Sequence, residues 1–308
     1  MSDDTIKIGT RGSMLAASQT NQVIELLKQM NPGLTFTVVT VRTVGDRDST
    51  TSLEKMGGTG VFTAQIEREL LEGTVDIAVH SAKDLPSDMT DDLTIGAVPL
   101  REACEDVWIS GDNMLLADTL PGSVVGTGSP RRRAQILHVR PDLKVMDIRG
   151  NIETRLRKVV TGQYDALVMA HAGLKRAGLD YNITEILPPE KFVPAPGQGA
   201  LAVQIRHGDQ RIREIAASID DPISHRCLGI ERLLLRRLNA GCSAAVGGLA
   251  IFHDDGIRLI AVVLDKNGTR RLYAEGSIPP EQTDEALVDP VVSELLAHGA
   301  KEIIDAEG

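Results

Sequence analysis

Gly73-Thr74-Val75-Asp76-Ile77-Ala78-Val79 recurs downstream as Gly162-Gln163-Tyr164-Asp165-Ala166-Leu167-Val168. In each copy a glycine follows a segment of helical period and leads into a short apolar run that reads as a buried strand. Outward from the first copy, residues 5–10 predict a strand ending at Gly9. Ser13–Met30 predicts a helix, with Leu15, Ala16, Val23, Ile24 and Leu27 on one face and Asn31-Pro32-Gly33 as its stop. Phe36–Val44 predicts a second strand and Val61–Leu71 a second helix, with a Gly-, Ser- and Thr-rich loop between them. The second copy sits in the same order. Val124-Val125-Gly126-Thr127-Gly128 is a strand entering a glycine turn, Pro130–Val139 a helix, Leu143–Ile148 a strand, Asn151–Val160 a helix and Asp165–Ala170 a strand. Two related α/β lobes with mostly parallel sheets follow from this layout.

Ala195-Pro196-Gly197-Gln198-Gly199-Ala200 precedes a fresh strand at 201–205, where the chain can return to the first lobe and leave a cleft between two hinges. From Asp221 the pattern changes. Ser224–Leu238 predicts a helix, followed by strands at Ala245–His253, Ile257–Leu264 and Thr269–Glu275, with Asp255-Gly256 and Asn267-Gly268 as hairpin signals. Asp289-Pro290 predicts the N-cap and first position of a closing helix that ends near Gly299. The expected domains are 1–99 with 200–219, then 100–199, then a C-terminal α+β domain at 220–308 with a three-stranded antiparallel sheet.

The chain has 308 residues and 42% hydrophobic content, enough for several cores. Its net charge of -10 and 3% aromatics argue against a nucleic-acid binder. The N-terminus lacks a basic and apolar leader, and the longest apolar run, Leu259–Leu264, cannot span a bilayer. Cys104, Cys227 and Cys242 form no close pair, and the histidines do not cluster. No disulfide framework, no metal and a cytoplasmic location are therefore expected.

Open α/β sheets bind ligands beyond the carboxyl ends of their strands. Arg11, Arg131, Arg132, Arg149, Arg155 and Arg176 fall at or near such ends, and guanidinium forks suit carboxylates. Helices starting after Gly12 and Gly128 would add positive dipole ends. Lys83-Asp84, in His80-Ser81-Ala82-Lys83-Asp84-Leu85-Pro86, places a carboxylate where it can stabilise a cation formed during reaction. Cys242, in Asn239-Ala240-Gly241-Cys242-Ser243-Ala244, is a thiol at a helix end, a position that does not itself lower its pKa. Cys227 reads as core, Cys104 as incidental and Arg133 as solvated.

Taken in order, Gly9-Thr10-Arg11-Gly12-Ser13, Gly57-Gly58-Thr59-Gly60-Val61-Phe62, the Lys83-Asp84 segment, Gly126-Thr127-Gly128-Ser129-Pro130-Arg131-Arg132, Asp147-Ile148-Arg149-Gly150-Asn151-Ile152-Glu153-Thr154-Arg155, Leu187-Pro188-Pro189 and Pro196-Gly197-Gln198-Gly199-Ala200 closely resemble the porphobilinogen deaminase (hydroxymethylbilane synthase) family. The resemblance spans nearly the whole chain. It implies two periplasmic-binding-protein-like lobes and a transferase of porphyrin and heme biosynthesis. Such an enzyme joins four porphobilinogen molecules head to tail with loss of ammonia, onto a covalent dipyrromethane primer, and then releases the linear tetrapyrrole hydroxymethylbilane by hydrolysis. It implies Cys242 as the thioether attachment, Asp84 and Lys83 as catalytic, and Lys83, Asp84, Ser129, Arg131, Arg132 and Arg155 as cofactor contacts. Arg11, Ser13, Phe62, Arg149, Gly150 and Arg176 become substrate contacts. The carboxylates of primer and four substrate units outnumber these cations, so the chain is expected to shift during elongation while 49–60 moves as a lid. Thr59, Met14, Gly128-Ser129-Pro130 and Asn239-Ala240 depart from the family pattern, but none alters Asp84 or Cys242.

Two other readings compete. A non-enzymatic carboxylate-binding module explains the arginines but leaves Lys83-Asp84 and Cys242 without work. An RNA binder using Arg131-Arg132-Arg133 is opposed by the charge and by the lack of interleaved aromatics. A monomer is the default expectation.

Overall fold

The structure is a computed structural model that describes residues 5–41, 60–241 and 244–306. The chain packs as two compact units, 1–102 with 200–228 and 103–199 with 229–308.

In the first unit β1 (Thr5–Arg11) leads into α1 (Met14–Met30), β2 (Thr35–Val41), α2 (Gly60–Leu71), β3 (Ile77–Ser81) and β4 (Leu93–Ala97). β10 (Leu201–Arg206) and α6 (Gln210–Ala217) return later to the same unit. The sheet order is β2-β1-β3-β10-β4, with β1 parallel to β2 and β3, and β10 antiparallel to β3 and β4. Strand alternation divides the apolar residues between two faces. Ile8, Ile77, Val79, Val203 and Ile205 pack with Val23 and Leu27 of α1 and Ile212 and Ile215 of α6. On the other face Ala78, Leu93 and Val41 meet Ile66 and Leu70 of α2.

The second unit repeats the plan. β5 (Asp106–Ser110), β6 (Val124–Gly126), α3 (Pro130–Val139), β7 (Lys144–Met146), α4 (Ile152–Val160), β8 (Ala166–Ala170), α5 (His171–Ala177) and β9 (Glu185–Leu187) form a sheet of order β7-β6-β8-β5-β9. β6 is parallel to β7 and β8, and β5 antiparallel to β8 and β9. β5 thus takes the place that β10 holds in the first sheet, and both sheets are mixed where the sequence suggests mostly parallel pairing.

The repeated segment keeps its geometry. Gly73 and Gly162 have φ of 73° and 71°, the left-handed conformation that glycine adopts without steric cost. Asp76 Oδ2 accepts from Lys7 N at 2.9 Å, and Asp165 Oδ2 from Val124 N at 2.6 Å. Asp76 so ties the start of β3 to β1, and Asp165 the start of β8 to β6.

α7 (Pro222–Leu238) precedes an antiparallel sheet of β11 (Ala245–His253), β12 (Gly256–Leu264) and β13 (Arg271–Ile278), then α8 (Asp284–Ala297) and α9 (Ala300–Asp305). The first hairpin turns at 254–255, with Gly256 already in the strand; the second uses a longer loop with Gly268 at φ 70°. The expected helix start at Asp289-Pro290 is wrong. α8 begins at Asp284 and Pro290 lies inside it. Leu287, Val288, Val291, Val292 and Leu295 are buried along α8, and that burial outweighs the backbone bond lost at the proline. Cys227 is buried, as expected of a core residue, and Cys104 is partly buried.

Candidate active site

In the first unit, β1 and β3 run parallel and bring Thr10-Arg11 and Ser81 to one end of the sheet. The Ser13 hydroxyl accepts from Ala16 N at 3.2 Å and caps α1. Thr10 and Thr20 share a buried hydroxyl bond of 2.7 Å, and Gln19 Nε2 donates to Ser81 Oγ at 2.8 Å. Lys83 and Asp84 follow in a single 3-10 turn, Ala82–Asp84, both half-buried. That turn is held at its base, where Ala82 N donates to the Ala200 carbonyl at 3.0 Å. Among the described residues no hydrogen bond or ion pair engages the Asp84 carboxylate.

Two residues before this turn, β3 carries a buried polar group. His80, 5% exposed, bonds through Nε2 to Gln204 Oε1 at 3.0 Å, while Gln204 Nε2 donates to Glu67 Oε1 at 3.0 Å. Because the Gln204 amide nitrogen points to a carboxylate, its oxygen faces His80, and the imidazole carries its proton on Nε2. Burial depresses His80 to about 4; the Gln204 bond opposes this shift and the charge of Arg11 adds to it. His80 is neutral at pH 7.

In the second unit, Ser129 caps α3, accepting from Arg132 N at 3.4 Å. Arg131 and Arg132 turn inward and are buried. Arg131 Nη1 donates to Asp106 Oδ2 at 2.7 Å and to the Val193 carbonyl at 2.8 Å. Arg132 Nε donates to Asp106 Oδ1 at 2.9 Å, and its Nη2 to Gln198 Oε1 at 3.1 Å. Burial alone would raise the Asp106 carboxyl, but the two guanidinium charges and their hydrogen bonds outweigh it and hold the group well below the usual carboxylate range. Arg133 instead faces Asp147 at 3.6 Å, about one-third exposed. Sequence reasoning missed Asp106; its one signal was an acid opening an apolar strand, Asp106-Val107-Trp108-Ile109.

Arg149 and Gly150 are exposed before α4, with Gly150 at φ 114°. Arg155 Nε donates to the Gly150 carbonyl at 2.8 Å. Burial lowers the Arg155 pKa, and the charges of Arg132 and Arg149 lower it further. No described acid offsets these influences on Arg155, so Arg132, Arg149 and Arg155 form a group of crowded cations. That donor set fits a ligand bearing several carboxylates. Arg176 Nη2 donates to the Gly199 carbonyl at 2.8 Å. Phe62 lies in the first turn of α2. Cys242, Thr59 and all of the expected 49–60 lid except Gly60 lie outside the described residues. Among the described residues no cluster of acids, histidines and cysteines could hold a metal, and no helix is long and apolar enough to cross a membrane.

Comparison with known families decides the assignment. Residues 6–214 match the porphobilinogen deaminase dipyromethane cofactor binding domain, and residues 225–297 match the C-terminal domain of the same family. The chain belongs to the porphobilinogen deaminase family. Porphobilinogen deaminase of Syntrophobacter fumaroxidans is 42% identical over 99% of this chain and 98% of its own length. The enzymes of Oceanobacillus iheyensis and Geobacillus kaustophilus are each 43% identical over 97% of the chain and 96% of theirs. Among solved structures, the Bordetella pertussis BvgS VFT2 domain aligns over 75% of the chain and 93% of its own at 18% identity and a TM-score of 0.42, a likeness too slight to bear on the site. The porphobilinogen deaminase fold of this chain rests instead on its two five-stranded α/β sheets and its separate antiparallel sheet.

Proposed function

We propose that this chain condenses four porphobilinogen molecules head to tail, with loss of one ammonia per step, as a hydroxymethylbilane synthase. The family match over residues 6–214 carries this reading. Dipyrromethane, when bound, supplies a primer with a free pyrrole α-carbon for the first condensation. Cys242 would hold it through a thioether, with Lys83, Asp84, Ser129, Arg131, Arg132 and Arg155 contacting it. Asp84 would stabilise the cation that a porphobilinogen becomes as ammonia leaves, and would hold the pyrrole N–H groups. A half-buried carboxylate without a described partner is suited to that task, since a developing positive charge is then its main counter-charge. Lys83, Arg11, Arg149, Arg155 and Arg176 would bind acetate and propionate side chains, with Ser13, Phe62 and Gly150 completing the substrate contacts.

The proposal keeps three domains, 1–99 with 200–219, 100–199 and 220–308, the last carrying Cys242. It takes the enzyme as a cytoplasmic monomer that does not bind nucleic acid, the last point being supported by the net charge of -10. Intact-mass measurement tests the assignment. The purified chain is expected to carry a covalent adduct that Cys242→Ser abolishes, and to release ammonia from porphobilinogen; a wild-type chain with neither property refutes it.

A further inference from the structure

Asp106 begins β5 and is 1% exposed. Both of its oxygens are committed, Oδ2 to Arg131 and Oδ1 to Arg132 and to Gln198 Nε2 at 2.8 Å. Gln198 is fully buried, donates also to the Cys104 carbonyl at 2.8 Å, and returns its oxygen to Arg132. The loop that carries Gln198 is itself held. Buried Glu231 of α7 accepts from Gly197 N at 2.6 Å with one oxygen and from Ala250 N of β11 at 2.9 Å with the other. Arg132 is therefore fixed from two sides on its Nε and Nη2 edges. Its charge, with that of Arg149, is felt by Arg155.

We infer that Asp106 is a positioning residue: it acts through Arg132, and through Arg131 beside it, to orient the cationic group that receives the ligand's carboxylates. The inference rests on the proposed condensation and adds a residue that does not touch substrate. Neutral acceptors could not do the same work. Asp106 remains ionised throughout the working range of any such enzyme, so it directs both forks with charge-assisted bonds, whose geometry is stricter and whose strength is greater than those of neutral pairs. A flexible arginine freed from this hold would sample many rotamers and would spend ordering entropy on every carboxylate it bound.

The experiment compares wild type with Asp106→Asn and Asp106→Glu. The first keeps the shape and removes the charge; the second keeps the charge and moves it by one methylene. A purely structural role would lower the active fraction, and hence the apparent kcat, while leaving KM for porphobilinogen unchanged. Positioning predicts the opposite split, with KM raised on the order of tenfold, the loss of about one well-aligned charge-assisted bond, and kcat per folded chain changed far less. The porphobilinogen concentration that half-loads Cys242 in chains lacking the adduct, read by intact mass, is expected to rise in parallel. If Asp106→Asn does not fold, Asp106→Glu carries the test alone, with the same rise expected. KM and half-loading within twofold of wild type in whichever variant folds would overturn the inference. A wild type with no adduct and no ammonia release would instead overturn the proposed function, so the two failures are distinguishable.

Discussion

Lowering the pH from 7 to 4 should destabilise the first unit through a single buried imidazole. In the unfolded chain His80 takes up a proton near its ordinary value of 6.5, whereas in the folded chain burial delays this until about 4. Between those values the unfolded state binds more protons, so stability rises with pH and falls on acidification. The gap corresponds to about 3 kcal/mol at full development, from roughly 1.4 kcal/mol per pH unit. The loss should begin below pH 6.5 and level off near 4, because below that value folded and unfolded chains are both protonated. Urea unfolding followed by far-UV circular dichroism at successive pH values, with wild type beside His80→Gln, isolates the effect. The glutamine keeps an N–H near Gln204 but cannot titrate. The wild-type curve should fall more steeply across this window, diverging by up to about 3 kcal/mol. Parallel curves would refute the reasoning, and with it the neutral, Nε2-protonated His80 on which the polar chain to Glu67 depends. Asp106 works in a different window. Its carboxyl is held down by Arg131 and Arg132, so its contribution is intact above the usual carboxylate range and is lost only under stronger acid.

Further expectations concern single sites. Asp84→Asn should leave the urea midpoint within about 0.5 kcal/mol, as expected of a side chain with no described partner, while abolishing ammonia release; near-normal turnover would remove Asp84 from the mechanism. Gly126→Ala would place a methyl 2.7 Å from Leu167 Cδ2 and 3.0 Å from Tyr164 Cδ1, costing about 1–3 kcal/mol through overpacking and measurable as a lower midpoint. Gly268→Ala should be worse: its methyl would meet the Ala134 carbonyl at 2.3 Å, from a backbone at φ 70°. Asp165→Ala should cost about 1–2 kcal/mol for the bond lost from Val124 N. Asp76→Ala should cost more, because Asp76 also faces Arg206 at 3.3 Å; equal losses would contradict the asymmetry.

What the sequence disclosed follows from how local each task is. Gly73 and Gly162 were readable because a left-handed turn before a buried strand selects glycine within a few residues. α1 was readable for a related reason, since its apolar period and its Asn31-Pro32-Gly33 stop lie within its own length. β4, β5 and β9 escaped notice because strands of five, five and three residues show little period of their own and exist through partners far along the chain. Pro290 misled because the first-turn preference of proline is a local rule, and burial of α8 overrides it. In the candidate site, Lys83-Asp84 and the arginines stood out as charges at strand ends. Asp106 did not, since its partners lie 25 and 26 positions away and only the meeting of β5 with α3 gives it a purpose.

The order β2-β1-β3-β10-β4 also bears on how the chain is made. Leu201 follows Ala97 by about a hundred residues, so at about 5–20 residues per second a ribosome needs on the order of 5–20 s to deliver the strand that joins β3 to β4. Until then the inner edge of β3 is bare, the kind of unpaired edge that invites association with other chains. The sheet begun second is finished first, at Leu187, which makes the early half of the nascent polypeptide the one in need of a chaperone.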